Sequence, residues 1–346
     1  MTELAIIADD LTGALDSAAP FAARGLGTVV ALSAGALPDA LATGAPIVAV
    51  STDSREVSAD IASKRVRTAI GRLPEGIRLF KKIDSRLKGN VATELDALDF
   101  ESALVVPAIP AFGRFVRNGL LTGFGIGTPI DIAHKLGIHA RKAHVPDVSS
   151  QADIDAVLDS ARNDLLVGAR GLAEALALRL VPRSSPTTPE LRFRRAIFVV
   201  GSRDPITLAQ IEGLRSMRPD MVYVEAPDGA ASGPIMPTDT LAVIHATPGS
   251  GTSTPDAVAR RLAAALDTVG PLDNALLVVS GGATAQIVLD HLGIAMVEVL
   301  GEALPGLPIA RAGGFTLITK SGGFGNPDAL VEILATGTQR AAAGIT

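Results

Sequence analysis

Short apolar runs that end in small or acidic residues recur along the whole chain, and each is followed by a helical pattern of apolar positions. These runs are Ala5–Ala8, Pro46–Val50, Leu104–Val106, Ala196–Val200, Ala275–Val279 and Phe315–Thr319. Runs of this length predict buried strands, and their alternation with helices is typical of α/β domains. The pattern therefore predicts an α/β fold in which helices flank mostly parallel sheets.

One proline-rich segment interrupts this pattern. Residues 181–189 hold three prolines among small polar residues, and a new buried-strand pattern begins at Ala196. Such a segment is a poor helix or central strand and a plausible linker. A length of 346 residues fits two domains. We therefore predict a domain of residues 1–180, a linker of residues 181–194 and a second domain of residues 195–346, each domain with its own mostly parallel sheet.

Some helix boundaries are recognisable in the second half. Thr254-Pro255 predicts an N-cap followed by proline at the first helical position, and Gly270 predicts the end of that helix. Asn326-Pro327 and Gly337 predict the start and the end of another helix in the same way.

Composition fits this architecture and narrows the function. The chain is 47% hydrophobic but only 3% aromatic, so its cores are built from Ala, Val, Leu and Ile. A net charge of −5 and the scarcity of base-stacking aromatics argue against nucleic-acid binding. The absence of cysteine excludes disulfides, thiolate catalysis and cysteine-ligated metals.

The sequence gives no sign of export or membrane insertion. Residues 1–4 hold no basic segment ahead of a long apolar one, and acids follow at Asp9 and Asp10. No apolar run reaches the ~18 residues of a membrane span. We expect a cytoplasmic protein with no membrane partner.

Three predicted strand-to-helix junctions in the second half are rich in small residues: Gly201-Ser202, residues 280–284 and residues 320–325. Ligands of open parallel sheets lie beyond the carboxyl ends of the strands, where helix N-termini offer N–H groups to phosphate. Lys320 adds a cation that could contact a phosphate. Tight turns that bind nothing are the alternative. Neither a G-x-x-x-x-G-K-[ST] motif nor a G-x-G-x-x-G motif after a strand occurs.

The first predicted strand ends in two acids, Asp9 and Asp10, followed by Leu11-Thr12-Gly13-Ala14. Paired carboxylates at a strand end can act as acid or base, bind hydroxyl groups or hold Mg²⁺. The alternative for one of them is a helix N-cap, for which Thr12 is a second candidate. Because one cap does not need two acids, we favour a functional role.

A mixture of cations, a carboxylate, a hydroxyl and an amide occupies residues 81–90, from Lys81 to Asn90. The mixture suits a polyhydroxylated anion, with cations on its carboxylate and Asp84 and Asn90 on its hydroxyls. A solvated charged loop is the alternative. Arg55, at another strand end, could fork onto a carboxylate or form a surface ion pair. Arg114 is a weaker candidate of the same kind.

Taken together, these segments resemble the four-carbon acid sugar kinase family. They occur in the family's order and extend over nearly the whole chain, and D-D-L-T-G-A and K-S-G-x-F-G are the most specific. The matching segments are Ala8–Ala14, Ser54-Arg55, Lys82–Asn90, Pro107–Arg114, Gly168–Ala173, Gly201–Thr207, Gly281–Ala285 and Lys320–Gly325.

The resemblance implies an N-terminal sugar-acid domain and a C-terminal ATP domain, with the active site in the cleft between them. It implies ATP-dependent phosphorylation of the terminal C4 hydroxyl of threonate, erythronate or a 3-oxo-tetronate, with Mg²⁺ as cofactor. The substrate residues would be Asp9, Asp10, Arg55, Lys82, Ile83, Asp84 and Ser85, to which the residue pattern adds Arg114. The nucleotide residues would be Ser202, Gly281, Gly282, Thr284, Gly322, Gly323, Phe324 and Gly325, to which the pattern adds Lys320.

The corresponding hypothesis is in-line phosphoryl transfer. Arg55 and Lys82 would hold the substrate carboxylate, and one carboxylate among Asp9, Asp10 and Asp84 would accept the hydroxyl proton. Backbone N–H groups of the glycine turns, with Mg²⁺, would offset the developing charge. The metal ligands are left unassigned, and a homodimer is a further possibility.

Two departures from the family leave rival functions open. The family's G-G-D-T-A pattern has Ala283 in place of its acid here, and residues 118–144 look divergent and shortened. A catalytically weak sensor of sugar acids and nucleotides is one rival. A kinase of a branched or oxidised sugar acid is another. A dehydrogenase is disfavoured by the missing dinucleotide motif.

Overall fold

The computed structural model describes residues 2–232, 241–249, 251 and 253–342, and the chain divides into two compact units. The division falls between Thr187 and Thr188. It lies within residues 181–194, whose assignment as a linker stays a prediction. Within the described ranges, no helix has both the length and the apolar character needed to cross a membrane.

The N-terminal unit is built on a parallel sheet and carries a small antiparallel sheet. Its strands are β1 (Leu4–Ala8), β2 (Thr28–Ala31), β3 (Ile47–Ser51), β4 (Arg78–Lys82), β5 (Ala103–Val106), β6 (Arg114–Arg117), β7 (Leu120–Gly123), β8 (Ile130–Asp131), β9 (Ala143–His144) and β10 (Leu165–Gly168). The parallel sheet has the order β2-β3-β1-β4-β10-β5-β9, and β6, β7 and β8 pair antiparallel. Every residue of β1, β2 and β3 is buried, as continuous apolar strands require.

Helices connect these strands. They are α1 (Leu11–Ala23), α2 (Leu37–Ala42), α3 (Ala59–Ile70), α4 (Val91–Leu95), α5 (Ile132–Leu136), α6 (Gln151–Ser160) and α7 (Arg170–Leu180). The side chain of Asp10 caps α1 by accepting the N–H of Gly13 at 2.7 Å. Nearly all of α1 is buried, because its small residues allow close packing on β3 and α7.

The C-terminal unit combines parallel and antiparallel pairing. Its strands are β11 (Arg195–Val200), β12 (Val222–Pro227), β13 (Leu241–Thr247), β14 (Ala275–Ser280), β15 (Met296–Leu304), β16 (Leu307–Ala312) and β17 (Phe315–Lys320). Their order is β12-β13-β11-β14-β17-β16-β15, with parallel pairing from β12 to β17 and antiparallel pairing from β17 to β15. The predicted α/β class with mostly parallel sheets is confirmed in both units.

The helices of the C-terminal unit are α8 (Pro205–Met217), α9 (Pro255–Ala265), α10 (Gly282–His291) and α11 (Ala329–Ala342). The predicted cap of α9 is confirmed, because the side chain of Thr254 accepts the N–H of Ala257. The prediction that a helix ends at Gly337 is wrong, since α11 runs through it. The ring of Phe193 fills the space that a side chain at Gly337 would need. This glycine therefore permits packing and does not end a helix.

Candidate functional site

A single guanidinium group, that of Arg55, joins the two acids that follow β1. Its Nε and Nη2 donate to the two oxygens of Asp9 at 2.7 and 2.9 Å, and its Nη1 donates to Asp10 Oδ2 at 2.6 Å. Asp84 Oδ1 lies 4.0 Å from Nη2. The planar fork of arginine matches carboxylate acceptors, so Arg55 is engaged by the protein's own acids. Its predicted contact with a substrate carboxylate stays a prediction.

The pKa values of the two acids are shifted in opposite directions although both acids contact Arg55. At Asp9, burial favours a raised pKa, but Arg55, Lys81 and Lys82 outweigh burial and the pKa lies below its usual value. At Asp10, burial together with the charge of Asp9 outweighs Arg55, and the pKa is raised. Neighbouring acids whose pKa values are pushed apart suit different chemical roles. Asp10 is the better proton acceptor, and Asp9 is the better permanent anion.

Lys82 is a buried cation with no carboxylate at ion-pair distance in the described part of the chain. The parallel pairing of β4 with β1 places it opposite Ala8. Its Nζ donates to the carbonyl of Ile83 at 3.0 Å. A Cβ at Gly13 would lie 3.0 Å from this Nζ and 2.6 Å from Asp10 Oδ1, so Gly13 lets both groups approach the first turn of α1. A buried charge of this kind is stabilised when a ligand supplies the opposite charge.

Arg114 is a second buried cation with no carboxylate at ion-pair distance in the described residues. It is 5% exposed, and it donates to the carbonyl of Phe124 at 3.0 Å and to Ser85 Oγ at 2.7 Å. Burial, followed by the charge of Arg86, lowers the pKa of Arg114. A Cβ at Gly125 would lie 3.6 Å from Arg114 Nη2 and 3.8 Å from Arg86 Nη1. Two guanidinium groups therefore face one glycine, an arrangement that an anion would stabilise.

The residues between these cations have partly structural roles. Asp84 Oδ2 accepts the N–H groups of Arg86 and Lys88 at 3.0 and 3.2 Å, whereas no hydrogen bond within the described residues reaches Oδ1. Ile83 is buried, and its N–H donates to the carbonyl of Gly168 at 2.9 Å. Asp84 thus keeps one oxygen for a ligand, whereas the N–H of Ile83 is used in the sheet.

Asn90 holds the loop that carries Arg55. Its Nδ2 donates to the carbonyls of Ser54 and Val57 at 2.8 and 2.9 Å. A Cβ at Gly89 would lie 3.1 Å from Arg55 Cγ, so the glycine allows a close approach. The sequence pattern assigned Asn90 to substrate hydroxyls, and the structure gives its amide group a positioning role.

The glycine-rich junctions of the C-terminal unit meet at the carboxyl ends of β11, β14 and β17, which are neighbours in the sheet. A side chain at Gly201 would overlap Thr284 Oγ1, and a side chain at Gly322 would overlap Ser202 Oγ. Gly281, with φ of 115°, is the N-cap of α10 and provides no side-chain cap. The first N–H groups of α10 therefore stay available to an anion, which a helix N-terminus favours.

Lys320 is fully buried, and its ammonium group orders the loop that follows β17. Burial lowers the pKa of Lys320 to about 8, against an opposing effect of Asp204. Contact of Lys320 with a phosphate stays a prediction, because in this structure its protons face the loop. Four oxygens lie within hydrogen-bonding distance of Nζ: Thr207 Oγ1 at 3.0 Å and the carbonyls of Ser321, Gly322 and Phe324 at 3.1, 2.8 and 3.2 Å.

Asp204 brings a carboxylate to this loop. Its Oδ1 caps α8 by accepting the N–H of Ile206 at 2.9 Å, and its Oδ2 would lie 3.2 Å from a Cβ at Gly323. The first turn of α10, which contains Ala283, has no acid. The described residues contain no cluster of three or more candidate metal ligands, but Mg²⁺ in nucleotide sites is commonly held by one or two carboxylates together with phosphates. The sequence pattern missed Asp204 because an acid before proline is an ordinary helix start.

Comparisons with known proteins agree with this division of the site. A family model described as a sugar-binding N-terminal domain matches residues 4–131. A second model, described as a nucleotide-binding C-terminal domain, matches residues 231–330. The carboxylate pair lies in the first matched segment, and the junctions after β14 and β17 lie in the second.

Curated relatives extend the match to nearly the full length. A D-threonate kinase from Bordetella bronchiseptica is 29% identical to this chain, in an alignment that covers 95% of this chain and 96% of the relative. A 3-oxo-tetronate kinase from Methylobacterium radiotolerans is 27% identical, covering 94% of this chain and 97% of the relative. A D-erythronate kinase from Heliobacterium modesticaldum is 40% identical over 134 residues, which are 35% of this chain and 29% of the relative.

Solved structures share the fold. A Salmonella typhimurium protein, described as a candidate tRNA synthase, superposes with a TM-score of 0.75 at 22% identity, covering 96% of this chain and 98% of its own. A Haemophilus influenzae protein gives a TM-score of 0.69 at 20% identity, with coverages of 96% and 99%.

The fold and the two matched domains define an enzyme with a sugar-binding unit and a nucleotide-binding unit. The chain belongs to the four-carbon acid sugar kinase family. Its enzyme class is that of phosphotransferases with an alcohol group as acceptor. The resemblance found in the sequence is thereby confirmed.

Proposed function

We propose that this enzyme transfers the γ-phosphoryl group of ATP to the C4 hydroxyl of a four-carbon sugar acid such as threonate, erythronate or a 3-oxo-tetronate. One observation carries this proposal. Asp9 and Asp10, bridged by Arg55, lie at the same sheet edge as Lys82, a buried cation with no carboxylate at ion-pair distance in the described residues. Carboxylates that accept hydroxyl groups, beside a cation that accepts a carboxylate, match the chemistry of a sugar acid.

We assign the substrate carboxylate to Lys82 and Arg114 in preference to Arg55. The guanidinium of Arg55 already donates to both Asp9 and Asp10. Lys82 and Arg114 are buried without an acid at ion-pair distance in the described residues, so a carboxylate ligand gains most from them. Ser85, whose hydroxyl oxygen accepts a hydrogen bond from Arg114, would orient that guanidinium group.

Asp10 is the proposed general base. Its pKa is raised, chiefly by burial, so Asp10 accepts a proton more readily than an ordinary aspartate does. Oδ1 accepts the N–H of Gly13 and keeps a lone pair for the C4 hydroxyl. Asp9, held ionised, would keep Arg55 in place. A base in such a role contributes about 10²–10⁴-fold to kcat, and positioning and electrostatics supply the remainder.

ATP is assigned to the junctions after β11, β14 and β17. The uncapped first turn of α10 would bind phosphate oxygens through Gly282 and Thr284, and the loop from Gly322 to Gly325 would lie along the same group. Ser202 and Phe324 complete the predicted set. Lys320 would act through the loop that it orders.

Mg²⁺ fits the same junctions through one carboxylate. Asp204 would hold it together with the phosphates, and the ion would neutralise charge on the transferring group. Phosphoryl transfer would require the bound hydroxyl and the phosphate to meet with water excluded.

ADP release, measured with ATP and Mg²⁺ across D- and L-threonate, D- and L-erythronate and 3-oxo-tetronates, tests the proposal. Turnover of one acid supports it and names the substrate. If no acid of the panel gives ADP release although a thermal-shift assay shows that the protein binds ATP, the substrate lies outside the four-carbon acids and is a branched or oxidised acid.

The absence of an acid from the first turn of α10, at Ala283, favours one alternative function. A sensor would bind sugar acid and nucleotide without producing ADP. Stabilisation by both ligands, with no ADP over hours, would establish the sensor and overturn the kinase proposal. We also place the enzyme in the cytoplasm and propose a homodimer, which fractionation and light scattering would test.

A further inference from the structure

Lys81 and Glu94 form a buried ion pair in the N-terminal unit, and Lys81 is close enough to Asp9 to lower its pKa. Lys81 Nζ and Glu94 Oε2 are 2.6 Å apart, and the two side chains are 0% and 2% exposed. Lys81 is the last but one residue of β4, and Glu94 lies on the short helix α4. The sequence pattern counted Lys81 among the cations for a substrate carboxylate and gave Glu94 no function, although both are among the most buried charges of the unit.

This pair is connected to the ends of three neighbouring strands. Lys81 Nζ donates to the carbonyl of Lys82 at 2.8 Å and approaches that of Ile7 at 3.4 Å. Ser54 Oγ donates to Glu94 Oε1 at 2.5 Å, which ties α4 to the segment after β3. The network therefore reaches β1, β3 and β4 at the edge where the acids emerge.

The segment after β3 carries the network to Arg55. Thr52 Oγ1 donates to the carbonyl of Ala8 at 2.8 Å, and the hydroxyl oxygens of Thr52 and Ser54 are 2.7 Å apart. The N–H of Ser54 donates to the carbonyl of Asp9 at 2.8 Å. Arg55 follows Ser54 directly. The hydrogen bond from Ser54 to Glu94 therefore helps to hold the backbone that carries the Arg55 guanidinium group.

A contribution to stability is a weak explanation for such a pair. Taking two charges out of water costs free energy that their attraction often only balances, and apolar replacements of buried pairs are frequently neutral or stabilising. The position of the pair offers another explanation, because Lys81 is also one of the cations that lower the pKa of Asp9.

We propose that Lys81 and Glu94 are positioning residues, which hold Arg55 across Asp9 and Asp10 and so fix the geometry in which Asp10 receives the substrate hydroxyl. This inference rests on the proposed kinase function. Neither residue contacts the substrate in this scheme. Their effect passes through Ser54 and Arg55.

The test replaces the pair by apolar residues in the full-length protein, as Lys81→Met with Glu94→Leu. We expect a melting temperature equal to or above that of the wild type, because no charge is left unpaired. We expect kcat to fall about 10- to 100-fold, since small displacements of reacting groups have effects of this size. The KM for ATP should stay unchanged, because the network lies in the sugar-binding unit.

A pH profile separates positioning from general loss of structure. The charged groups that act on the proposed base, Asp10, are Arg55, Asp9 and Lys82. Displacement of Arg55 weakens the effect by which it lowers the pKa of Asp10, so the acidic limb of kcat/KM for the sugar acid should move to higher pH. The control, Arg311→Met with Glu298→Leu, removes an exposed pair of the other unit and should leave the profile unchanged.

Ser54→Ala provides a second variant in which the ion pair is intact and only its link to the Arg55 segment is cut. The inference predicts a lower kcat here too, measured at a temperature at which the variant is fully folded, because the loss of a hydrogen bond to the buried Glu94 also lowers the melting temperature. Wild-type kcat in either folded variant, or a loss of activity that follows only a loss of melting temperature, would overturn it. Failure of the wild type to phosphorylate any sugar acid would instead overturn the proposed function, so the two failures are distinguishable.

Discussion

The hydroxyl of Thr284 occupies the space that any side chain at Gly201 would need. Gly201 follows β11, whereas Thr284 lies in the first turn of α10, after β14. The contact brings together two junctions that are distant in sequence. The proposed phosphate site therefore depends on the absence of one side chain at a strand end.

Gly201→Ala should weaken ATP binding and lower stability. The added methyl group overlaps Thr284 Oγ1, and overpacking of this kind typically costs about 1–3 kcal/mol. Calorimetric titration with ATP and thermal unfolding measure the two effects. Adding Thr284→Ala removes the overlapping hydroxyl and should restore part of the stability. Equal melting temperatures for the single and double variants would contradict the proposed clash.

Asp10→Asn should lower kcat by about 10²–10⁴-fold, the range expected for loss of a general base. Asparagine retains an oxygen that can cap α1, so the fold should persist, which circular dichroism checks. Asp84→Asn, which also removes a carboxylate from this edge, is the matched comparison. If Asp84→Asn has the larger effect on kcat and Asp10→Asn changes it less than about threefold, Asp84 is the base.

Arg114→Met should raise the KM for the sugar acid by about 10- to 100-fold, the equivalent of one hydrogen bond to a charged group. The melting temperature should hold or rise, because the guanidinium is buried with no carboxylate at ion-pair distance in the described residues. Steady-state kinetics in both substrates measure this, and the KM for ATP serves as the internal control. A matching rise in both KM values would point to general disruption.

Lys320 should give ATP binding and stability opposite dependences on pH. Its pKa in the folded protein is about 8, below the ordinary 10.5, so the unfolded chain binds more protons between these values. Stability therefore rises with pH through this window. ATP affinity should fall over the same range, because the loop loses its ammonium group.

Lys320→Met tests this assignment. The variant should bind ATP about 10- to 100-fold more weakly at pH 7, since charged hydrogen bonds to the loop are lost. Titrations and thermal unfolding from pH 7 to 10 should show neither of the two dependences that the wild type shows. A variant that keeps the wild-type decline in ATP affinity would assign that decline to another group.

The strand ends could be located from the sequence because buried parallel strands have a distinctive apolar pattern. The structure adds the pairing of β1 with β4, in which Ala8 lies opposite Lys82 and the two charged segments meet at one edge. Which cation pairs with which acid could not be read in the same way. Arg55 and Asp9 are 46 residues apart, and their contact depends on the loop that Asn90 holds.

The sequence did not show which charged side chains are buried in the structure. Lys81 and Lys82 are adjacent and look alike, yet Lys81 forms an ion pair with Glu94, whereas Lys82 has no carboxylate at ion-pair distance in the described residues. Successive side chains of a strand point to opposite faces of the sheet. This alternation does not show which of the two lysines contacts an acid on a helix elsewhere in the chain. The sequence likewise did not show that the Nζ of Lys320 donates to the loop after β17 and to Thr207, a residue 113 positions away.

The packing of Phe193 against Gly337 bears on how the enzyme can be divided. Leu191 and Phe193 precede the first strand of the C-terminal unit, yet Leu191 belongs to its core and Phe193 packs against that core. A fragment begun at residue 195 would lose them and expose the face of α11 that Phe193 covers. Expression of the nucleotide-binding unit on its own should therefore start upstream of Leu191, since the compact unit begins before the sheet that defines it.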